Sequence, residues 1–337
     1  MKALSLSAPR KFDVIDLPEP AELGPYEALV RIHAVGVCGT DISGYLGKMP
    51  FIQHPRILGH ELGVEVVAVG DEVTDVKPGD RCAVEPYLNC GECHACARGH
   101  TNCCENLKVL GVHTDGGLRP LLVLPADKLH PAEGLSYEQL ALVETLGIGC
   151  HAVNRVCPHS DESVLVLGAG PIGLSVMEFV RLAGAKMHVV EPDETRRAFV
   201  SKNHPKAKVH APLEPEDFFK QNDGRGADIV FDATGNADSM ARSFEYAAFA
   251  GALVWVGITA KTVPFDDALF HRRELTLLAS RNAIPSDFNR ILRLMKEGHL
   301  DTTPWITHRA SFEEAPKKFA SWSKPGSGVV KAVVQVQ

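Results

Sequence analysis

Long apolar runs, an excess of basic charge and a leader-like start are all missing from this chain of 337 residues. Its longest uncharged stretch, SVLVLGAGPIGLSVM from Ser163 to Met177, is broken by glycines and a proline and falls short of the ~20 apolar residues of a membrane span. Lys and Arg total 35 against 42 Asp and Glu, a formal charge of -7, which argues against a general affinity for nucleic-acid phosphates or anionic membranes and leaves only a local basic patch open. The opening MKALSLSAPRKFDVIDLPEP reaches Pro9, Arg10 and Lys11 before any apolar run has built up, so no secretory signal is expected and a cytoplasmic protein is.

Length is present in plenty: at ~150 residues per domain, two domains are expected, with a core that needs no disulfide support. The 45% hydrophobic and 23% charged residues are ordinary for a globular protein, and 29 Gly with 22 Pro point to many turns. Nine Cys without a leader then indicate metal ligands or reduced thiols before disulfides. In NCGECHACARGHTNCCEN, Cys90, Cys93 and Cys96 recur every third residue, followed by the pair Cys103 and Cys104. Four thiolates converging from such a loop suit one tetrahedral Zn²⁺ with no open position, hence a structural site. Redox-active thiols, a site in which His94 or His100 replaces one thiolate, and a zinc finger are the competing readings. The last is disfavoured by the acidic balance and the lack of a basic helix after the loop.

A second constellation lies upstream, where VGVCGTDISG and HPRILGHELGVEVVAVG place Cys38 about twenty residues before His60 and Glu61. A thiolate, an imidazole and a carboxylate form the mixed ligand set of a catalytic zinc with one position left for water or substrate. Asp41 is the candidate acceptor for the free ring N–H of a zinc-bound His60, and the Thr40 hydroxyl is the candidate proton relay. A buried thiol, a satisfied core histidine and a capped turn are the structural alternatives.

The stretch SVLVLGAGPIGLSVMEFVRLAG reads as a buried strand over Ser163–Leu167, a glycine turn, and a helix with apolar Ile172, Val176, Phe179, Val180 and Ala183. In the turn, Gly168 allows the tight bend, Gly170 admits the pyrophosphate to the backbone, Gly173 permits close helix–strand packing, and Pro171 and Ile172 open the helix toward the phosphates. The next strand, KMHVV, leads to Glu191, whose carboxylate suits the ribose hydroxyls of NAD and repels the 2′-phosphate of NADP. Arg196 and Arg197 keep NADP as the alternative. ADIVFDATG and GALVWVGI continue a doubly wound α/β sheet, with Thr234, Gly235 and Gly257 at strand ends where ligands bind.

Taken together, the catalytic Cys with GHE, the four-Cys lobe and GAGPIG resemble the zinc-containing medium-chain alcohol and polyol dehydrogenases over essentially the whole chain. Several separated segments, FIQHPRILGHE, GHTNCCENLKVLGVHTDGG and FHRRELTLLASRNAIPSDF, look most like the branch that includes L-galactonate 5-dehydrogenase, which oxidises a secondary hydroxyl of a sugar acid. The resemblance implies that Cys90, Cys93, Cys96 and Cys104 hold the structural zinc, with Cys103 spare. It also implies that Glu144 in ALVETLGIGCHAV is a further acidic ligand, direct or through water. Three positions depart from the family pattern: Ser43 stands at the usual His that ends the proton relay, Val64 at a usual Gly with Gly63 displaced by one, and Thr145 at the usual Pro.

The resemblance further implies a GroES-like β-barrel catalytic domain from residues 1–146 and 283–337 wrapped around a Rossmann NAD-binding domain at 147–282, in a homodimer or homotetramer. The strand-like tail GSGVVKAVVQV is expected to close a sheet begun by KALSLSAP and ALVRIHAVGV. Candidate substrate contacts are Tyr45, Phe51, His54, His113 and Arg119, the last suited to a carboxylate. Arg281 is placed with the cofactor. Cys82, Cys103, Cys150 and Cys157 have no assigned role and are expected to be buried as small hydrophobes. The expected activity is zinc-dependent hydride transfer from a sugar acid or polyol to NAD. A simple alcohol dehydrogenase, an aldehyde or ketone reductase, and a non-catalytic NAD-binding sensor or structural protein are the alternatives.

Overall fold

The computed structural model describes residues 1–20, 22–324 and 326–337. Two compact units divide the chain, one from Met1–Thr145 with Ile284–Gln337, the other Leu146–Ala283. In the first unit a seven-stranded sheet runs in the order Leu129–Pro131, Arg81–Val84, Glu61–Val69, Glu27–Val37, Lys331–Gln335, Ile306–Ser311, with Leu121–Pro125 also paired to Glu27–Val37. The long strand Glu27–Val37 alternates buried and half-buried residues along most of its length, the period of a strand with one face on a core. Its inward residues Ala28, Val30, Ile32 and Val35 join Leu62, Val64 and Val66 of the neighbouring strand in one apolar cluster.

The tail forms the strand Lys331–Gln335, antiparallel to Glu27–Val37 with Ala332 opposite Val37. Lys2–Ala8 does not join that sheet. It pairs with Lys11–Asp16 and Arg56–Ile57 instead, because the short turn after Ala8 makes a local antiparallel ribbon before the chain reaches the larger sheet. Gly63 is required where it stands: a Cβ there would come within 1.9 Å of the Tyr137 carbonyl oxygen. Val64 beside it is fully buried in the core.

The second unit is a six-stranded parallel sheet in the order Lys208–His210, Lys186–Val190, Ser163–Leu167, Ala227–Asp232, Ala247–Trp255, Thr276–Ala279. Every residue of Ser163–Leu167 is buried, as expected for a strand covered on both faces. The helix Pro171–Ala183 follows directly and buries Val176, Phe179 and Val180. Strand order reverses beside Ser163–Leu167, which puts a crevice at the carboxyl ends of that strand and of Ala227–Asp232. Among the described residues no helix is long and apolar enough to cross a membrane.

Candidate catalytic, metal and cofactor sites

Cys38 closes the long strand Glu27–Val37 and caps the short helix Gly39–Tyr45, while His60 and Glu61 open the paired strand Glu61–Val69. This antiparallel pairing, which sets Gly36 opposite Glu61, brings donor atoms of Cys38, His60 and Glu61 within 4.8 Å of one another. Asp41 accepts the Cys38 N–H at 2.9 Å through one carboxylate oxygen and lies 3.6 Å from His60 Nδ1 through the other. The turn and the histidine contact therefore coexist: Asp41 caps the helix and faces the imidazole nitrogen turned away from Cys38. Thr40 is half-buried beside Cys38, with its backbone N–H 3.5 Å from Cys38 Sγ, and Ser43 lies farther along the same helix.

Around this group the chain buries an unusual concentration of ionisable side chains. Asp41, Glu61 and Glu144 are all at or below 5% exposure, with His60 and Lys331 among them. Burial raises the pKa of Asp41 and of Glu144. For His60 burial opposes the charged form, yet Asp41, Cys38 and Glu144 together lift its pKa well above the usual imidazole value. Glu61 Oε1 accepts from Thr145 Oγ1 at 2.8 Å and from Lys331 Nζ, whereas Glu61 Oε2 is buried with no partner. A desolvated carboxylate oxygen without a donor is costly, and a divalent cation held jointly by a thiolate and an imidazole supplies what it lacks. The residues present therefore fit a zinc ion. Glu144 stands aside from the convergent trio because the Tyr87 hydroxyl donates to its Oε1.

In the lobe, a two-stranded ribbon of Tyr87–Leu88 and Lys108–Val109 forms the base, and the one-turn helix His94–Ala97 shapes the loop. Cys90, Cys93, Cys96 and Cys104 bring their sulfurs within 4.8 Å of one another, and His94 and His100 do not take part. Backbone N–H groups point at these sulfurs: Cys93 N–H at Cys90 (3.4 Å), and both Cys90 and Asn106 N–H at Cys104 (3.3 Å each). The backbone N–H groups of Cys93 and Glu92 lower the Cys90 thiol to about 6, whereas desolvation raises Cys96 to about 11, so the thiols of the loop are held at different affinities for the proton. Four thiolates closed on one another fit a structural zinc and leave no position for substrate. Cys103 is outside the group and exposed, as is Cys157; only Cys82 and Cys150 of the unassigned thiols are buried. Cys103 ends a 3-10 turn and Cys157 sits at a positive φ after a helix, so neither follows the expectation of burial.

In the second unit, Gly168 holds φ +92° and a Cβ on Gly173 would lie 2.0 Å from the Gly168 carbonyl oxygen, so the helix meets the strand more closely than any side chain permits. Gly170 caps that helix, with Pro171 and Ile172 in its first turn. Glu191 is 3% exposed, its oxygens accepting from Ala169 N–H (2.6 Å) and Asp193 N–H (2.9 Å), which fixes an acidic group beside the glycine turn. Arg197 is engaged by the carbonyls of Glu191 and Pro192, while the Arg196 guanidinium reaches to 4.0 Å from where a Gly170 Cβ would be. Thr234 donates to buried Asp232 (2.6 Å) across from Gly168, and Gly257 packs on Gly235. Arg281 is exposed just after the last parallel strand. This cradle fits a dinucleotide on the strand carboxyl ends.

The substrate candidates separate. Tyr45 is a core residue, 5% exposed, with its ring against those of Phe12 and Phe319. Phe51 is exposed and meets the His113 ring at 6.3 Å. Arg119 donates to the Asp115 carbonyl at 3.4 Å, and burial holds its guanidinium below its usual pKa. Arg119 Nε and His54 Nε2 are both buried without a partner. Two residues of the first site escaped the sequence reading, Lys331 and Tyr87, since neither belongs to a ligand-type motif.

Residues 24–134 match the family described as alcohol dehydrogenase GroES-like domain, and residues 171–297 the family described as zinc-binding dehydrogenase. The chain is 40% identical to the L-galactonate-5-dehydrogenase of Escherichia coli K12, over 88% of this chain and 87% of that protein. It is 32% identical to the 2-dehydro-3-deoxy-L-galactonate 5-dehydrogenase of Pseudoalteromonas atlantica, over 97% and 96%. Among solved structures, 2R,3R-butanediol dehydrogenase from Bacillus subtilis superposes with a TM-score of 0.89 at 27% identity, over 100% of this chain and 99% of that one.

Proposed function

Starting from a chain that belongs to the zinc-binding dehydrogenases with an alcohol dehydrogenase GroES-like domain, we propose that it oxidises a secondary hydroxyl of a sugar acid or polyol with NAD. The observation that carries the zinc chemistry is the buried convergence of Cys38, His60 and Glu61, in which Glu61 Oε2 has no donor. When bound there, zinc polarises the substrate hydroxyl as a Lewis acid, and NAD takes the hydride. Cys38, His60 and Glu61 hold the metal, Asp41 fixes the imidazole, and Lys331 with Thr145 orients Glu61. Thr40, beside Cys38, takes the hydroxyl proton outward toward Ser43, and Glu144 stands in reserve behind Tyr87.

For the cofactor, Gly168, Gly170 and Gly173 admit the pyrophosphate, and Glu191 receives the ribose hydroxyls in preference to a 2′-phosphate. Arg196, Thr234, Gly257 and Arg281 line the same strand ends. The substrate-class reading rests on similarity to the two galactonate-type dehydrogenases and on Arg119, whose desolvated guanidinium suits a carboxylate. Phe51, His54 and His113 are assigned to the substrate's apolar and hydroxylated parts. We divide the chain into catalytic segments 1–146 and 283–337 and a cofactor domain at 147–282, a division that the two compact units support to within a residue. Nine free thiols suit the reducing cytoplasm. A homodimer or homotetramer is the assembly the family resemblance implies.

Initial rates of NADH formation across aldonates, neutral polyols and simple alcohols, with NADP run beside NAD, test the reading. Aldonates with NAD are expected to be fastest. Faster turnover of neutral polyols removes the carboxylate partner, faster reduction of NADP overturns the role of Glu191, and no turnover of any hydroxyl compound overturns the proposal.

A further inference from the structure

Apart from the catalytic trio, another group of charged side chains is buried where the four-cysteine lobe joins the sheet. Glu85 is fully buried and Lys128 is 4% exposed, with Glu85 Oε1 accepting from Lys128 Nζ at 2.9 Å. Glu85 Oε2 lies 3.3 Å from Nε2 of buried His130, and the Glu85 N–H donates to the Lys128 carbonyl at 2.8 Å, so the backbone fixes the pair as well. The dehydrogenase reading uses none of these residues.

A buried lysine needs a partner of opposite charge, and Glu85 alone meets that need. Lys128 does more. Its Nζ also donates to Asn89 Oδ1 at 2.6 Å, while the exposed carboxylate of Asp127 stands 3.8 Å away. Glu85 and Asn89, on either side of the short strand Tyr87–Leu88, thus meet at one ammonium. Asn89 directly precedes the first lobe cysteine, and its Nδ2 donates to Cys96 Sγ at 3.8 Å.

Donors and acceptors can follow only one order along this path. An ammonium has three donors and no acceptor, so the amide turns its oxygen to Lys128 and its NH₂ group to the sulfur. A sulfur that is offered a donor is stabilised as thiolate, the form that ligates a metal. With no ammonium behind it, the amide is free to turn over and set its oxygen against the sulfur, which repels a thiolate. We propose that Lys128 is a positioning residue of the lobe's metal site: held by Glu85, it fixes the Asn89 amide so that the Nδ2–H meets the Cys96 thiolate and helps the lobe retain its zinc. The inference rests on the structural-zinc reading of Cys90, Cys93, Cys96 and Cys104 and extends it to two residues that ligate nothing.

The test uses the full chain loaded with ¹¹³Cd²⁺ at both metal sites, whose four-sulfur and mixed-ligand resonances are separate, and titrates it with a chelator. Lys128→Met and Asn89→Leu are each expected to weaken retention of the lobe metal roughly tenfold to a hundredfold and to move the four-sulfur resonance, with the mixed-ligand resonance in place. Since Lys128 acts through Asn89, adding Lys128→Met to Asn89→Leu is expected to weaken retention no further. Glu85→Gln combined with Lys128→Met leaves no lone charge buried, which keeps the test open if the single lysine variant does not fold, and it is expected to weaken retention likewise. Retention and resonance unchanged by the lysine variants, or additive losses from Lys128→Met and Asn89→Leu, overturn the proposal while the structural site stands. A wild type without a four-sulfur resonance overturns the structural-zinc reading, and the proposal falls with it.

Discussion

Glu61 is held in a fully buried position by Thr145, 84 residues along the chain, and by Lys331, 270 residues along it. The Thr145 hydroxyl is the donor that one oxygen of Glu61 meets at 2.8 Å. The trio Cys38, His60 and Glu61 was legible in the sequence because thiolate, imidazole and carboxylate announce metal chemistry by type. Lys331 and Tyr87 were not, since what makes them part of the site is sheet pairing and burial. At the cofactor end Glu191 is likewise fixed by two backbone N–H groups. Substituting Glu191→Ser removes a charged acceptor worth about 1.5–3 kcal/mol. The KM for NAD is expected to rise roughly tenfold to a hundredfold while that for NADP falls. Steady-state kinetics with both cofactors check this, and an unchanged NAD preference would show that Glu191 does not meet the ribose.

Among the elements, the strand Ser163–Leu167 and the helix after it could be read directly, because an all-apolar run and a 3.6-residue period leave little choice. The pairing of Lys2–Ala8 could not, because alternation identifies a strand without identifying its neighbour. The lobe is a small element that its own apolar residues cannot hold, and its four thiols take over that task. Cys93→Ser is expected to lower the zinc content by about one per chain and the melting temperature by more than about 5 °C, roughly 2 kcal/mol for a unit of this size. Metal analysis with calorimetry decides it, and an unchanged melting temperature would mean the lobe stands without metal.

The parallel strands carry a second element-scale consequence. His188 packs against His210 and Phe218, and burial lowers its pKa from 6.5 to about 4. Between those values the unfolded chain binds the proton and the native one does not, so stability contributed by the neutral ring is present above about 6.5 and is lost as the pH falls toward about 4. Replacing it, as in His188→Gln, is expected to flatten the fall in denaturation midpoint across that window. Parallel pH profiles for variant and wild type would show that His188 does not titrate in unfolding.

For the whole molecule, the sequence by itself showed a metal-rich first part and a dinucleotide turn in the middle, but not that residues 284–337 return to the first unit. That return follows from the tail strand finding its partner in Glu27–Val37, a contact between chain ends that local patterning does not encode. It also delivers Lys331 to Glu61, so the discontinuous topology completes the metal group. The central claim is that Cys38, His60 and Glu61 hold the zinc on which turnover depends. Zinc content and the rate of NADH formation, measured together on wild type and Cys38→Ala, test it most directly. About two zinc ions per chain in the wild type are expected, and about one in the variant, with an unchanged fold and kcat/KM lowered by at least ~10³. A Cys38→Ala protein that keeps its zinc and its activity would contradict the account.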